Sequence, residues 1–109
     1  MLLPFFDHKE NIQMKKYELM TIYPVEDEKY KAGLETLRAD LAKFGAEIEK
    51  EEPYGDRDLT YEVKRQKRGR FLLLNIKANP AKIVDLDAQF KFNTNLLKYL
   101  FVAKDEKNA

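Results

Sequence analysis

Between Tyr17 and Tyr23 the chain alternates in the period of a strand, with Tyr17, Leu19, Thr21 and Tyr23 on one side and Glu18, Met20 and Ile22 on the other. Pro24 stops that pattern, and the acidic run Glu26, Asp27 and Glu28 favours a helix start, where negative charge meets the positive end of the helix dipole. The helix declares itself through Tyr30, Leu34, Leu37, Leu41 and Phe44, spaced by four, three, four and three, one apolar stripe of helical period. Lys31, Glu35, Arg38 and Lys43 fall outside the stripe, and Gly45 stands where a left-handed cap would end it.

A second strand begins at Ala46. Ala46 and Ile48 are apolar at even positions, whereas Leu59, Tyr61 and Val63 are apolar at odd ones, so one phase cannot serve both halves. Pro53-Tyr54-Gly55 is expected to shift it, either as a hairpin turn or as a bulge in one long bent strand. Residues 64–70 read as a polar turn. Phe71 to Ile76 is then apolar on both faces, as a central strand covered on each side requires. Asn79-Pro80 predicts a second helix start, with Asn as cap and Pro at the first helical position, and Ile83, Leu86 and Phe90 form that helix's buried stripe. A last strand is expected from about Lys98 to Ala103.

The order strand, helix, strand, strand, helix, strand predicts an α+β fold, a ferredoxin-like βαββαβ sandwich with two helices on one face of a four-stranded antiparallel sheet. The 109 residues suffice for one domain, and the regular pattern occupies 14–104. Residues 1–13 carry no period and read as a flexible extension or a mis-assigned start ahead of Met14, and 105–109 as a frayed tail.

Composition removes most catalytic chemistry. There is no cysteine, which excludes disulfides, thiol catalysis and thiolate metal sites. The only histidine, His8, lies in the extension, so no histidine-based triad or proton shuttle is available. The four glycines are isolated and form no phosphate-cradling loop, and the carboxylates show no metal-binding pattern. Neither an enzyme nor a cofactor nor a metal site is expected. No apolar run approaches the ~18 residues of a membrane span, and a cytoplasmic location is expected.

Charge is informative through its arrangement. Charged residues make up 36% of the chain, yet the net charge is only +1. Lys64, Arg65, Lys67, Arg68 and Arg70 crowd one short stretch without an acid among them, while 46–58 holds Glu47, Glu49, Glu51, Glu52, Asp56 and Asp58 against Lys50 and Arg57. A basic loop of this kind can neutralise nucleic-acid phosphates; a solvated hairpin tip is the plainer alternative. The acidic stretch reads as a charged edge that discourages sheet-to-sheet aggregation. On the sheet face that the helices leave open, Phe71 and Leu73, joined by Met20 and Ile22, present apolar surface of the kind that receives a partner.

Several segments together resemble the bacterial small-subunit ribosomal protein six family: Met14-Lys15-Lys16-Tyr17-Glu18, Phe44-Gly45-Ala46-Glu47-Ile48-Glu49-Lys50, Tyr54-Gly55-Asp56-Arg57-Asp58-Leu59-Thr60-Tyr61-Glu62-Val63 and Phe90-Lys91-Phe92-Asn93. The resemblance runs in order from Met14 to about Lys104. It implies the fold already argued, a single long bent strand over 46–64, and a structural role in which the family joins small-subunit ribosomal protein eighteen to bind the central domain of 16S ribosomal RNA. Lys15, Lys16 and Lys91 match basic family positions. Asp56 stands where the family commonly has a basic residue, and Thr60 replaces an alanine. Asp56 would thereby lose a phosphate contact and set a repelling charge beside the candidate RNA contact Arg57.

The expected RNA contacts are therefore Lys15, Lys16, Arg57, Lys64, Arg65, Lys67, Arg68, Arg70 and Lys91, and the expected partner surface is Phe71, Leu73, Glu49 and Glu51. Two other functions suit the same pattern: a stand-alone single-strand RNA binder using the open sheet face, and a small-molecule-binding regulatory domain. The first predicts RNA affinity without a partner, the second a pocket and self-association.

Overall fold

The computed structural model describes residues 14–104; the expectations for 1–13 and 105–109 lie outside the described residues. Strand β1 (Lys15–Tyr23) leads into helix α1 (Asp27–Lys43), followed by β2 (Glu47–Val63) and β3 (Gln66–Ala78). A short 3-10 turn (Pro80–Lys82) opens helix α2 (Ile83–Phe90), and β4 (Lys98–Ala103) completes the sheet. The strand order is β2-β3-β1-β4, every neighbouring pair antiparallel, so β3 and β1 are central and β2 and β4 are the edges. This is the ferredoxin-like arrangement that the sequence predicted.

Both helix starts follow their local chemistry. Asp27 and Glu28 occupy the first turn of α1. At α2 the Asn79 side chain accepts a hydrogen bond from the Ala81 backbone N–H at 2.9 Å, and Pro80 fills the first position, where its missing N–H costs nothing. Gly45 follows α1 with φ of 78°, as a helix-terminating residue should.

The apolar stripes meet as predicted. Tyr17, Leu19 and Tyr23 of β1 join Leu72, Leu74 and Ile76 of β3 beneath Leu34, Leu37 and Leu41 of α1 and Leu86 and Phe90 of α2, all buried in one cluster. Thr21 sits in the same row and donates its hydroxyl to the Leu72 carbonyl at 2.8 Å, so its polar atom is satisfied inside the core.

Strand β2 is one strand, not a hairpin, and it is bulged at Pro53-Tyr54-Gly55, as one of the two expected alternatives had it, with a second bulge at Glu49 that the sequence did not suggest. Ile48 pairs with Ile76 and Lys50 with Asn75, leaving Glu49 as an extra residue; Pro53 pairs with Leu72 and Gly55 with Phe71, leaving Tyr54 as another. Each bulge shifts the alternation by one, so the two cancel. Ile48 therefore packs against the helix-side core, while Leu59 lies against the opposite face with Ile22 and Phe71. Even-numbered positions thus face the helices both before the first bulge and after the second, and the odd-numbered apolar residue Leu59 belongs to the open face. A third irregularity sets Leu59 to Glu62 against Lys67 alone. There the hairpin tip leans across the open face: Leu59, Tyr61 and Val63 share a cavity of about 200 Å³ with Ile22, Phe71 and Lys98.

Leu37 is fully buried at the centre of the α1 stripe. Leu37→Ala should lower the unfolding free energy by about 2–5 kcal/mol through lost burial plus the cavity left behind, measured by chemical denaturation. A loss under about 1 kcal/mol would contradict this packing.

Candidate functional site

Pairing of β2 with β3 removes most of the charge segregation seen along the sequence. Asp56 stands opposite Arg70 and Asp58 opposite Arg68, so acids of one strand meet bases of the next. Arg70 donates from Nε to Asp56 Oδ1 at 2.7 Å, from Nη1 to Asp27 Oδ1 at 2.9 Å and from Nη2 to the Val25 carbonyl at 3.0 Å. Its guanidinium lies 4.9 Å from the centre of the Tyr30 ring. This one side chain ties β2, β3 and the start of α1 together. The hydrogen bond from Arg70 holds the Asp56 carboxyl below its ordinary range. Asp56 is thus an internal partner, not a charge repelling RNA beside Arg57. Arg68 binds Asp58 at 3.2 Å.

The expected polar turn over 64–70 is also smaller than predicted. Only Lys64 and Arg65 form it; Gln66 to Arg70 already belong to β3. Both turn residues adopt left-handed backbone, with φ of 51° and 67°, a conformation that two-residue hairpins require and that side-chain-bearing residues adopt at a cost.

The leaning tip carries Lys64 to the far side of the sheet, where its Nζ donates to the Leu96 carbonyl at 3.0 Å. Lys64, Lys91 and Lys98 line one open cavity of about 350 Å³ floored by Leu96, Leu97 and Tyr99. The loop over 91–97 is pinned from behind. Asn93, buried, donates its Nδ2 to the Gly33 carbonyl at 3.0 Å and accepts from the Asn95 N–H at 3.1 Å. A Cβ on Gly33 would collide with the Asn95 carbonyl, so only glycine lets α1 approach this loop so closely. Tyr99 donates its hydroxyl to Asp87 Oδ1 at 2.6 Å. Burial first, then that carboxylate, pushes the phenol up to about 12. The same bond, with Lys91 at 3.4 Å, holds Asp87 below its ordinary value.

The remaining predicted contacts do not join one patch. Lys15 and Lys16 open β1 at the opposite end of the sheet, roughly 25 Å along the strand from Tyr23 at about 3.3 Å per residue. Arg57 lies on neither an acid nor the cavity: it packs 5.8 Å from the Tyr54 ring centre and donates to the Tyr54 carbonyl at 3.4 Å. Arg65 and Lys67 are exposed at the hairpin tip.

The four expected partner residues lie in different surroundings. Leu73 is only 8% exposed, too covered to offer a surface. Glu51 points to the helix side, where Arg38 of α1 grips both its carboxylate oxygens, at 2.9 and 2.6 Å. Glu49 is exposed at its bulge and Phe71 half-buried on the open face. The apolar surface of that face extends instead along β4, through Leu100 (61% exposed) and Val102 (46%), which stand opposite Met20 and Glu18. The period-two alternation from Lys98 could have placed Lys98, Leu100 and Val102 there from sequence alone.

The fold and these surfaces define a ferredoxin-like α+β domain with three lysines lining an open cavity at one end of the sheet. The sequence model of the family described as ribosomal protein S6 matches residues 16–103. The chain is 52% identical over 93 residues to small ribosomal subunit protein bS6 of Treponema denticola, covering 85% of this chain and all of that protein. It is 37% identical over 92 residues to the bS6 protein of Treponema pallidum strain Nichols, covering 84% and 99%. The crystal structure of 30S ribosomal protein S6 from Thermotoga maritima superposes with a TM-score of 0.74 at 17% identity, covering 84% of this chain and 89% of that one. The chain belongs to the ribosomal protein S6 family.

Two outcomes test this geometry. Gly33→Ala should destabilise the fold by about 1–3 kcal/mol through overpacking against Asn95, although alanine is the better helix former; unchanged stability in urea would mean the loop yields freely. For Asp56, whose folded pKa is depressed, the stabilisation is complete above the unfolded carboxyl's range near pH ~4 and is lost as pH falls through the lower folded value. Asp56→Asn should therefore cost up to about 1 kcal/mol at pH 7 and flatten the fall of melting temperature with acid. A melting profile in acid identical to that of the parent chain would contradict the role assigned to the pair.

Proposed function

We propose that this chain is a structural component of the bacterial small ribosomal subunit that binds the central domain of 16S ribosomal RNA jointly with small-subunit ribosomal protein eighteen, working at the ribosome in the cytoplasm. The observation that carries the reading is the family match over residues 16–103. That family is one of ribosomal structural proteins, not of enzymes.

Electrostatics supports shared rather than solitary binding. Of the nine expected RNA contacts, Arg68, Arg70 and Lys91 are already paired with Asp58, with Asp56 and Asp27, and with Asp87. Each phosphate neutralised contributes a salt slope of roughly 0.7–0.9, so the few cations left give weak, salt-sensitive attachment on their own. A basic protein partner set against the exposed Glu49 and the apolar row of Phe71, Leu100 and Val102 would supply further phosphate contacts. Lys15, Lys16, Arg57, Lys64, Arg65 and Lys67 are the remaining candidates for RNA on this chain, and Lys91, whose 3.4 Å pairing with Asp87 is solvent-exposed, can exchange it for a phosphate.

Titration of a 16S central-domain fragment by this chain alone, by protein eighteen alone and by both should show far tighter binding by the pair. Tight, sequence-selective binding by this chain alone would instead support a stand-alone RNA binder.

A further inference from the structure

We propose that Lys64, Lys91 and Lys98 together form one subsite for an RNA phosphodiester, assembled by the lean of the β2–β3 hairpin over the end of the sheet; this rests on the RNA-binding reading above. Lys98 had no expected role. The three lysines come from the hairpin tip, the C-terminal end of α2 and the start of β4, and only the tertiary fold brings them to one cavity.

Several observations point to an anion there. Three lysines from separate elements line a single opening, and an anion between them would relieve the repulsion of like charges gathered there. Asp87 is the carboxylate beside them, and it is already occupied by the Tyr99 hydroxyl and Lys91. Lys64 spends one of its three N–H donors on the Leu96 carbonyl, which fixes the ammonium and leaves two donors for a ligand. The floor of Leu96, Leu97 and Tyr99 keeps water from one side, strengthening an ionic contact above it.

The cavity suits backbone and not base. Of the cavity's own aromatic residues, Phe90 is buried with its ring stacked on Phe101 at 5.8 Å and Tyr99 has its hydroxyl held by Asp87, so the lining is dominated by aliphatic and cationic groups. At about 350 Å³ the cavity lies at the small end of the ~300–1,000 Å³ of ligand clefts, room for a phosphate and its sugar. Such a contact positions RNA without reading its sequence.

The test uses the full chain with protein eighteen and the central-domain RNA fragment, titrated across a range of salt. Replacing all three lysines by alanine should reduce the salt slope by roughly 0.7–0.9, the contribution of one phosphate contact, and weaken binding by about several-fold near physiological salt. Lys98→Gln alone should shift the slope in the same direction, and it keeps the proposal testable if the triple variant fails to fold. Lys31→Ala, on the exposed outer side of α1, should leave the slope unchanged. Folded lysine variants with the slope of the parent chain would overturn the subsite while leaving the RNA-binding function standing. Absence of RNA binding by the parent chain with its partner would overturn both.

Discussion

Because successive side chains of a strand point to opposite faces, β3 must satisfy two surroundings at once, and most of the structure follows from how it does so. Leu72, Leu74 and Ile76 face the helices and are almost wholly buried, while Phe71, Leu73 and Asn75 face the other way. With β1 on one side and β2 on the other, β3 sets the register that decides which residues meet. It places Asp56 against Arg70, and through Arg70 it anchors the start of α1. The same ladder carries the hairpin tip far enough past the core to reach the loop ahead of β4.

The elements were legible in the sequence because each rests on a local rule. The α1 stripe, the Asn79-Pro80 cap and the two-sided Phe71 to Ile76 run need only neighbouring residues to be recognised. Charge pairing was not legible for the opposite reason. Whether Asp56 repels RNA or neutralises Arg70 depends on the count of bulged residues between Ile48 and Asp58, and no local pattern reveals that count. Glu51 shows the same limit: after the bulge at Glu49 it turns to the helix side and meets Arg38. Lys98 belongs to a different category. Its face could be derived from alternation, but its proximity to Lys64 and Lys91 depends on the bend of the hairpin.

A chain with 20 basic and 19 acidic residues could expose a strong field of either sign or conceal both. This fold does the second along the β2–β3 ladder and leaves cationic groups at the tip and the sheet's far end. Its long-range field is consequently weak, and what distinguishes the surface is local geometry. Rigidity where α1 meets the loop over 91–97, secured by Asn93 and the bare backbone of Gly33, therefore bears directly on where Lys91 is presented.

The bulges of β2 also make the two borders of the sheet unequal. β2 is long, but its ladder is interrupted three times and its outer positions are crowded with Glu47, Glu49, Lys50 and Glu52. A second strand laid along it would lose register within a few residues and meet alternating charge, both of which disfavour edge-to-edge growth. β4 is short and pairs with β1 without interruption, and it carries Leu100 and Val102 on its surface. The sheet is thus closed to extension on one border and regular on the other, so strand-wise association, wanted or unwanted, has a single direction in which to proceed.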